Sequence, residues 1–360
     1  MFERASALGE IGAGLVVWPN GIWSLRKLGL AGPIEAASRG LRTLDIRTAD
    51  GHTLKHMDAA ALWPGLDAEW VAMRRSDLHH FLRPGLEGCE VHLDHRLVGF
   101  VQDGAGVLAR FSNGSDERGD VLIGADGLRS ATRAQIFGEL SVRYAGYTDW
   151  RCVTAVDPGL TLADMTLTHG RGAGTGLFAM SGNRAFWFVS RNAPAGGQDP
   201  PGGKKSSLLT WLRGWHEPIA QVVASSPEDE IIRTDIFDRD PILAWGRGRV
   251  TLAGDAAHPM TPDWGQGASQ ALEDAVALGD AFSAEHSPHV ALRSYESSRI
   301  KRANYIVSAS RQAGAMNRPD GSLGMLRRNL FYRFAPFWLQ RYGIGMIVGK
   351  SSAQREPVAV

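Results

Sequence analysis

A chain of 360 residues can hold one large domain or two ordinary ones, each with its own core. Its 39 Lys and Arg against 38 Asp and Glu leave no bulk charge to attract nucleic acid or an anionic membrane, and 44% hydrophobic residues is the share of a globular protein. Two cysteines, Cys89 and Cys152, make neither a disulfide scaffold nor a zinc site, so no metal is expected and a reducing, cytoplasmic location is.

The opening MFERASALGEIGAGLVVWPNG places an acid, Glu3, ahead of a Gly-rich loop and a helix start. It has no basic leader followed by an apolar core, and no run in the chain approaches the roughly 18 apolar residues of a membrane span. A βαβ dinucleotide site has a strand, a G-x-G-x-x-G turn and a helix before such an acid, and here only Met1 and Phe2 precede it. Residues 42–57 read as a hairpin around Ala49-Asp50-Gly51. Ser76 is expected to cap a short helix from Asp77, with Arg75 just ahead of the cap. Glu90 to Ser112 reads as a three-stranded meander with a turn at Asp103-Gly104. DVLIGADG (120–127) has the form of a buried parallel strand that stops at a ligand crevice.

From 144 to 192, β-formers, aromatics and turn glycines predict an antiparallel sheet; 192–207 reads as a loop, followed by a helix over 207–224 and a strand over 230–237. GRVTLAGDAAH (248–258) is a second buried strand, and 266–285 and 289–315 read as long helices. Residues 330–348 mix aromatics with Arg, which suits an interfacial helix or, better, packing on the fold or on a partner subunit. This order places an inserted domain (47–70 and 144–240) within a dinucleotide-binding type of domain (1–46, 71–143 and 241–315), followed by a C-terminal helical segment (316–360).

Two stretches carry chemistry. In GDAAHPMTPDWGQGASQALEDA (254–275) a strand delivers Asp255 to a proline-bracketed loop, and Gly265, Gly267, Ala268 and Ser269 let a flat ligand lie against the backbone. The first-turn amides of the following helix favour partial negative charge. In GADGLRSATR (124–133) a strand delivers Asp126 into a Gly-flanked turn; alone, that is equally a turn capped by Asp. His258 reads as a locally bonded loop histidine, and Ser130 with Asp126 makes no triad because no G-x-S-x-G elbow is present.

Together these stretches resemble the two shared fingerprints of class A flavoprotein monooxygenases, the aromatic hydroxylase family: G-A-D-G-x-x-S-x-x-R at 124–133 and G-D-A-A-H-x-x-x-P-x-x-G-Q-G at 254–267. FERAS at 2–6, GAGLVVWPNG at 12–21, MRRSDLHHFL at 73–82 and YAGYTDWR at 144–151 extend the resemblance over residues 1 to about 310. It is most similar to the branch of urate, salicylate and 6-hydroxynicotinate hydroxylases. The resemblance implies an α/β fold: a Rossmann-type, glutathione-reductase-like FAD-binding domain with an inserted antiparallel β-sheet substrate domain. FAD is the implied cofactor and NAD(P)H the co-substrate.

Position by position, the resemblance assigns Glu3, with Arg4 beside it, to the adenosine ribose, Arg75 to the phosphate and ribityl region, Asp126 to the pyrophosphate and Asp255 to the ribityl chain. It sets the loop from Pro262 through Gly265, Gln266, Gly267 and Ala268 at the flavin pyrimidine edge, with Gly265 and Gln266 catalytic through the reduced flavin, and makes Asp263 an organiser of the active site. The implied chemistry is flavin reduction, a C4a-hydroperoxide formed with O₂, and oxygen transfer to a small aromatic substrate. Tyr147, Arg151, Phe178 and Trp187, with Trp150, His169 and Phe188 behind them, are the substrate-lining candidates on the sheet. A larger polyketide- or polyene-like substrate, or a non-catalytic relic, stays open, as does a homodimer. The family also begins with a strand, a G-x-G-x-x-G turn and a helix, which this sequence does not contain before Glu3; Gly12-Ala13-Gly14 lies on the wrong side of the acid. The expectation is a domain with its first βα unit missing, through either a late recorded start or a short native chain that holds FAD weakly.

Overall fold

The structure, a computed structural model, describes residues 1–8, 13–62, 68–139 and 141–349; Gly12 lies outside them. β1 (Gly14–Val17) leads into α1 (Pro19–Lys27), which has Pro at its first position where no amide partner is needed, and then α2 (Ala31–Ala37). β2 (Gly40–Leu41), the hairpin β3 (Thr43–Thr48) and β4 (Thr53–Asp58), and the short α3 (Ala59–Leu62) follow. β5 (Trp70–Arg74) and α4 (Arg75–Leu82) precede β6 (Leu97–Gln102), β7 (Val107–Phe111) and β8 (Asp116–Gly119), then β9 (Leu122–Gly124) and α5 (Ala131–Phe137). Four long strands come next: β10 (Arg143–Ala155), β11 (Met165–His169), β12 (Ala173–Met180) and β13 (Arg184–Asn192). The chain continues with α6 (Lys204–Trp211), α7 (Ile219–Ala224), β14 (Ile232–Asp238) and β15 (Val250–Leu252), and ends in α8 (Gly267–Ala284), α9 (Pro288–Asn317), α10 (Ser322–Phe334) and α11 (Phe337–Val348).

The largest sheet runs β14-β10-β13-β12-β11-β3-β4, antiparallel except where β3 pairs in parallel with β11. Its strands come from residues 43–58 and 143–238, so β3 runs across residue 46 rather than stopping there. One face packs on α6 and α7 through Trp187, Leu177, Leu208, Leu212 and Val222. The other faces β1 and β5 through Phe178, Phe186, Val16 and Trp70. β9 and β15 pair in parallel, as two strands that each end on a Gly-Asp turn region should, and Phe2 forms a parallel bridge with His92.

Four local expectations are corrected. The meander occupies 97–119 instead of 90–112, because its turns are Asp103-Gly104, where Asp103 accepts the amides of Ala105 and Gly106, and Asn113-Gly114, where Gly114 has φ 87°. α4 starts at Arg75 with Arg74 as its cap and no side-chain capping bond; Ser76 sits inside the helix. The helix expected over 207–224 is two, broken around Gly214 at φ 84° and Pro218, and the loop before it ends early because Glu228 accepts the amides of Lys204 and Lys205 at 2.6 and 3.1 Å. In β9, Ile123 is 38% exposed and only Gly124 is buried, so its apolar run does not mark a fully buried strand.

Candidate active site

Buried Val250, Thr251 and Leu252 of β15 carry the chain to Gly254, whose φ of 57° suits a residue without a side chain. Asp255 follows on a single 3-10 turn and stands exposed on a cavity of about 540 Å³. A second such turn, Pro262–Trp264, passes to left-handed Gly265 (φ 61°) and into α8. Pro262, Asp263, Gly265, Gly267 and Ala268 all line the same cavity. A Cβ placed on Gly267 would meet nothing within 4 Å, so the backbone there lies open to a flat ligand. The first-turn amides of α8, with no intrahelical acceptor, give this wall its affinity for a partly negative edge.

The seven-stranded sheet makes the other wall. Tyr147, Asp149 and Arg151 of β10 line the cavity, as do Phe186 and Phe188 of β13 and Phe178 of β12. Strand alternation sends the residues between them to the reverse face. There Trp187 donates to Ser226 (2.9 Å) and Trp150 to Asp199 (2.9 Å), inside or beside the core formed with α6 and α7. Trp187 is therefore a core residue and not a substrate contact. Phe188 lies so close over β12 that a Cβ on Gly176 would come within 2.3 Å of its ring.

Where the walls meet, three groups lock together. Asp263 accepts from the Tyr147 hydroxyl (2.9 Å) and from Arg318 (2.6 Å), and the Arg318 guanidinium carbon sits 3.6 Å from the centre of the Tyr147 ring. Burial together with the Asp263 and Asp149 carboxylates pushes the Tyr147 phenol well above its ordinary value. Burial works against the Arg318 charge, but Asp263, Tyr147 and Asp149 together outweigh it and hold the guanidinium above its ordinary value. Burial also lifts Asp149 to about 6, against the pull of Ser190 and Arg318, and its Oδ1 has no hydrogen-bond partner among the described residues. His169 is stacked on Tyr332 with ring centres 5.3 Å apart; burial and then Arg328 and Arg318 lower it to about 3, and neither ring nitrogen has a partner among the described residues.

Behind the loop is a buried polar network. Gln266 is 0% exposed and its amide bonds Asn20 and Gln270, so its side chain points into the protein; any part it plays in the cavity is through its backbone. Asn20 reaches Glu273 at 2.6 Å, and Glu273 is bound by Arg299 and Arg302 of α9. Asp274 accepts from Arg299 (2.8 Å) and the Gly254 amide (2.8 Å) and pairs with His258 Nε2 (2.7 Å). Burial opposes its ionisation, yet His258 and Arg299 hold the Asp274 carboxyl down at about 2. His258 thus braces the turn that carries Asp255.

The remaining candidates lie outside the cavity lining. Glu3 accepts the Ala5 amide (2.9 Å), Arg4 and Arg75 are exposed, and Asp126 clamps the start of α5 by accepting the Thr132 amide and hydroxyl, both at 3.0 Å. Sequence reasoning did not single out Asp149, Arg318 or Asn20. Strand alternation could have found Asp149, since it sits between Tyr147 and Arg151 on one face. Arg318 and Asn20 reach the site from distant segments and leave no local signal.

The FAD binding domain family matches residues 24–310. Aurachin C monooxygenase/isomerase of Stigmatella aurantiaca is 37% identical over 333 residues, covering 92% of this chain and 87% of that protein. An FAD-dependent urate hydroxylase of Klebsiella pneumoniae subsp. pneumoniae is 31% identical over 315 residues, covering 87% and 82%. The crystal structure of Klebsiella pneumoniae HpxO complexed with FAD and uric acid superposes with a TM-score of 0.87 at 29% identity, over 97% of this chain and 90% of that one. An open glycine backbone, a helix N-terminus and a carboxylate on one cavity are the donor and acceptor set a flavin needs, and the chain belongs to the FAD binding domain family as an enzyme of the FAD-dependent monooxygenase type.

Proposed function

We propose that this enzyme hydroxylates a small aromatic or heteroaromatic compound, using FAD, NAD(P)H and O₂. The observation behind this reading is that a single cavity has a flavin-type loop as one wall and an aromatic sheet as the other. FAD, when bound, supplies the redox chemistry and the activation of O₂; the chain's residues bind, orient and exclude water. Asp255 would accept from cofactor hydroxyls, and the backbone of Gly265, Gly267 and Ala268, on the same cavity, would receive the flavin edge. Glu3, Arg4, Arg75 and Asp126, outside the cavity lining, would hold the remainder of the cofactor. In this reading the FAD-binding part comprises 1–42, 71–142 and 241–317, and the substrate part 43–70 and 143–240, so that β3, β10 and α9 stay whole.

Phe178, Phe186 and Phe188 offer ring faces to an aromatic substrate and keep the cavity dry. The polar anchors are Asp149 and His169. Kept neutral by burial, His169 offers one ring N–H and one acceptor nitrogen to a heteroatom. Asp149 can donate a proton below about pH 6 and only accept above it. Arg318 and Tyr147 fix the Asp263 carboxylate between loop and sheet. The test is substrate-stimulated NADH and NADPH oxidation over a panel of phenols, purines, pyridines and quinolones, with FAD supplied. Stimulation with incorporation of ¹⁸O from ¹⁸O₂ supports the reading; flavin-loaded protein that responds to none of these ring classes overturns it.

A further inference from the structure

α10 and α11 have two unlike sides. Inward, Tyr332 and Ile344 wall the cavity, Arg328 is 2% exposed and donates to the carbonyls of Gly170 and Asn317, and Ile347 is buried. Outward, Leu323, Phe334, Trp338 and Tyr342 are 62%, 67%, 68% and 63% exposed, with Leu326 and Leu330 exposed between them at helical spacing. Large apolar side chains gathered on one face are uncommon on a surface that meets only water. Arg327, Arg333 and Arg341 are exposed in the same segment, and residues 321–349 contain neither Asp nor Glu. The chain as a whole is balanced at +1, so this cationic excess is local.

Charge selects the occupant. Aliphatic and aromatic side chains with interspersed arginines and no acid suit an amphipathic segment lying at the headgroup level of an anionic bilayer. A second copy packed face to face on a two-fold axis would bring two arginine-bearing faces together with no carboxylate from residues 321–349 to pair them. Among the described residues no helix is long and apolar enough to cross a membrane. We propose that the outer face of α10 and α11 docks the enzyme onto an anionic lipid surface, lying on it and not through it. This proposal stands apart from the hydroxylation reading. Because the inner face of the same helices walls the cavity, docking sets that wall against the bilayer.

The test is flotation of the full-length protein with vesicles of phosphatidylcholine alone or mixed with phosphatidylglycerol. Flotation with the mixed vesicles only, and release by 0.5 M salt, are expected. Phe334→Ser with Trp338→Ser should weaken partitioning by at least ~tenfold, and Arg327→Gln, Arg333→Gln and Arg341→Gln by on the order of fivefold each. Unchanged thermal melting shows that the variants fold; should the double variant melt early, the arginine variants decide. The proposal is overturned if the wild type fails to float at low salt, if the arginine variants float as it does, or if sedimentation shows a dimer that Trp338→Ser separates while no vesicle binding is seen.

Discussion

Replacing Arg318 by Met tests the cluster joining the loop to the sheet. The Arg318 and Asp263 side chains are 9% and 4% exposed, and their bond is 2.6 Å long. An exposed pair of this kind contributes ~0–1 kcal/mol, but a buried carboxylate stripped of its partner costs about 3–5 kcal/mol. The lost guanidinium face over Tyr147 adds about 1 kcal/mol in the same direction and shares its origin, so Arg318→Met should lower unfolding free energy by about 3–5 kcal/mol. Most of that penalty comes from the stranded charge. Adding Asp263→Asn should therefore recover about 2 kcal/mol, leaving a coupling well above the few tenths expected of unconnected sites. Urea unfolding of the wild type, both single variants and the double variant measures the cycle. A double variant no more stable than Arg318→Met refutes the charge argument and assigns the loss to packing.

Three further outcomes follow from the geometry. Trp187→Phe should cost about 1–2 kcal/mol through the lost bond to Ser226 while leaving KM for the substrate unchanged; a raised KM would return Trp187 to the cavity. Gly314→Ala would put a Cβ 2.6 Å from Asp263 Oδ2 and 2.7 Å from Arg318 Nη2, so kcat/KM should drop about tenfold with flavin content retained, and unchanged kinetics would show that Asp263 needs no fixed position. Asp149 has a carboxyl raised from 3.8 to about 6, so its contribution to stability is complete below about pH 4 and lost as pH rises through 6. Asp149→Asn should match the wild type at about pH 3.5 and exceed it by up to about 3 kcal/mol at pH 8; an equal gain at both pH values sinks the assignment.

The loop from Asp255 to Ala268 was legible because its chemistry is local: a strand end, two prolines and glycines at a helix start act within fifteen residues of one another. The sheet was legible for the same reason, since alternation and turn glycines are short-range signals. The phase of that alternation was not. Whether Trp187 or its neighbours Phe186 and Phe188 face the cavity depends on α6 and α7 packing against one side, which no local pattern announces. Gln266 looked like a cavity residue beside its glycines, but Asn20, 246 residues earlier in the chain, turns its amide inward. α4 lacks the expected Ser76 cap because β5 runs straight into it, giving the first turn its entry angle without a side-chain acceptor.

The parallel junction of β3 with β11 has a kinetic consequence. It brings residues 44–48 against 165–169, with β4 to β10 intervening in the chain. Hairpins such as β3–β4 and β12–β13 close over a few residues and can form early, but this pairing must close a loop of more than a hundred before any of its contacts reward the chain. The cavity wall that includes Leu44, Ile46 and Leu167 is therefore among the last surfaces to be assembled on refolding. Until then the apolar lining meant for a substrate is open to other chains, which makes the join between the two parts of the sheet the step most exposed to aggregation.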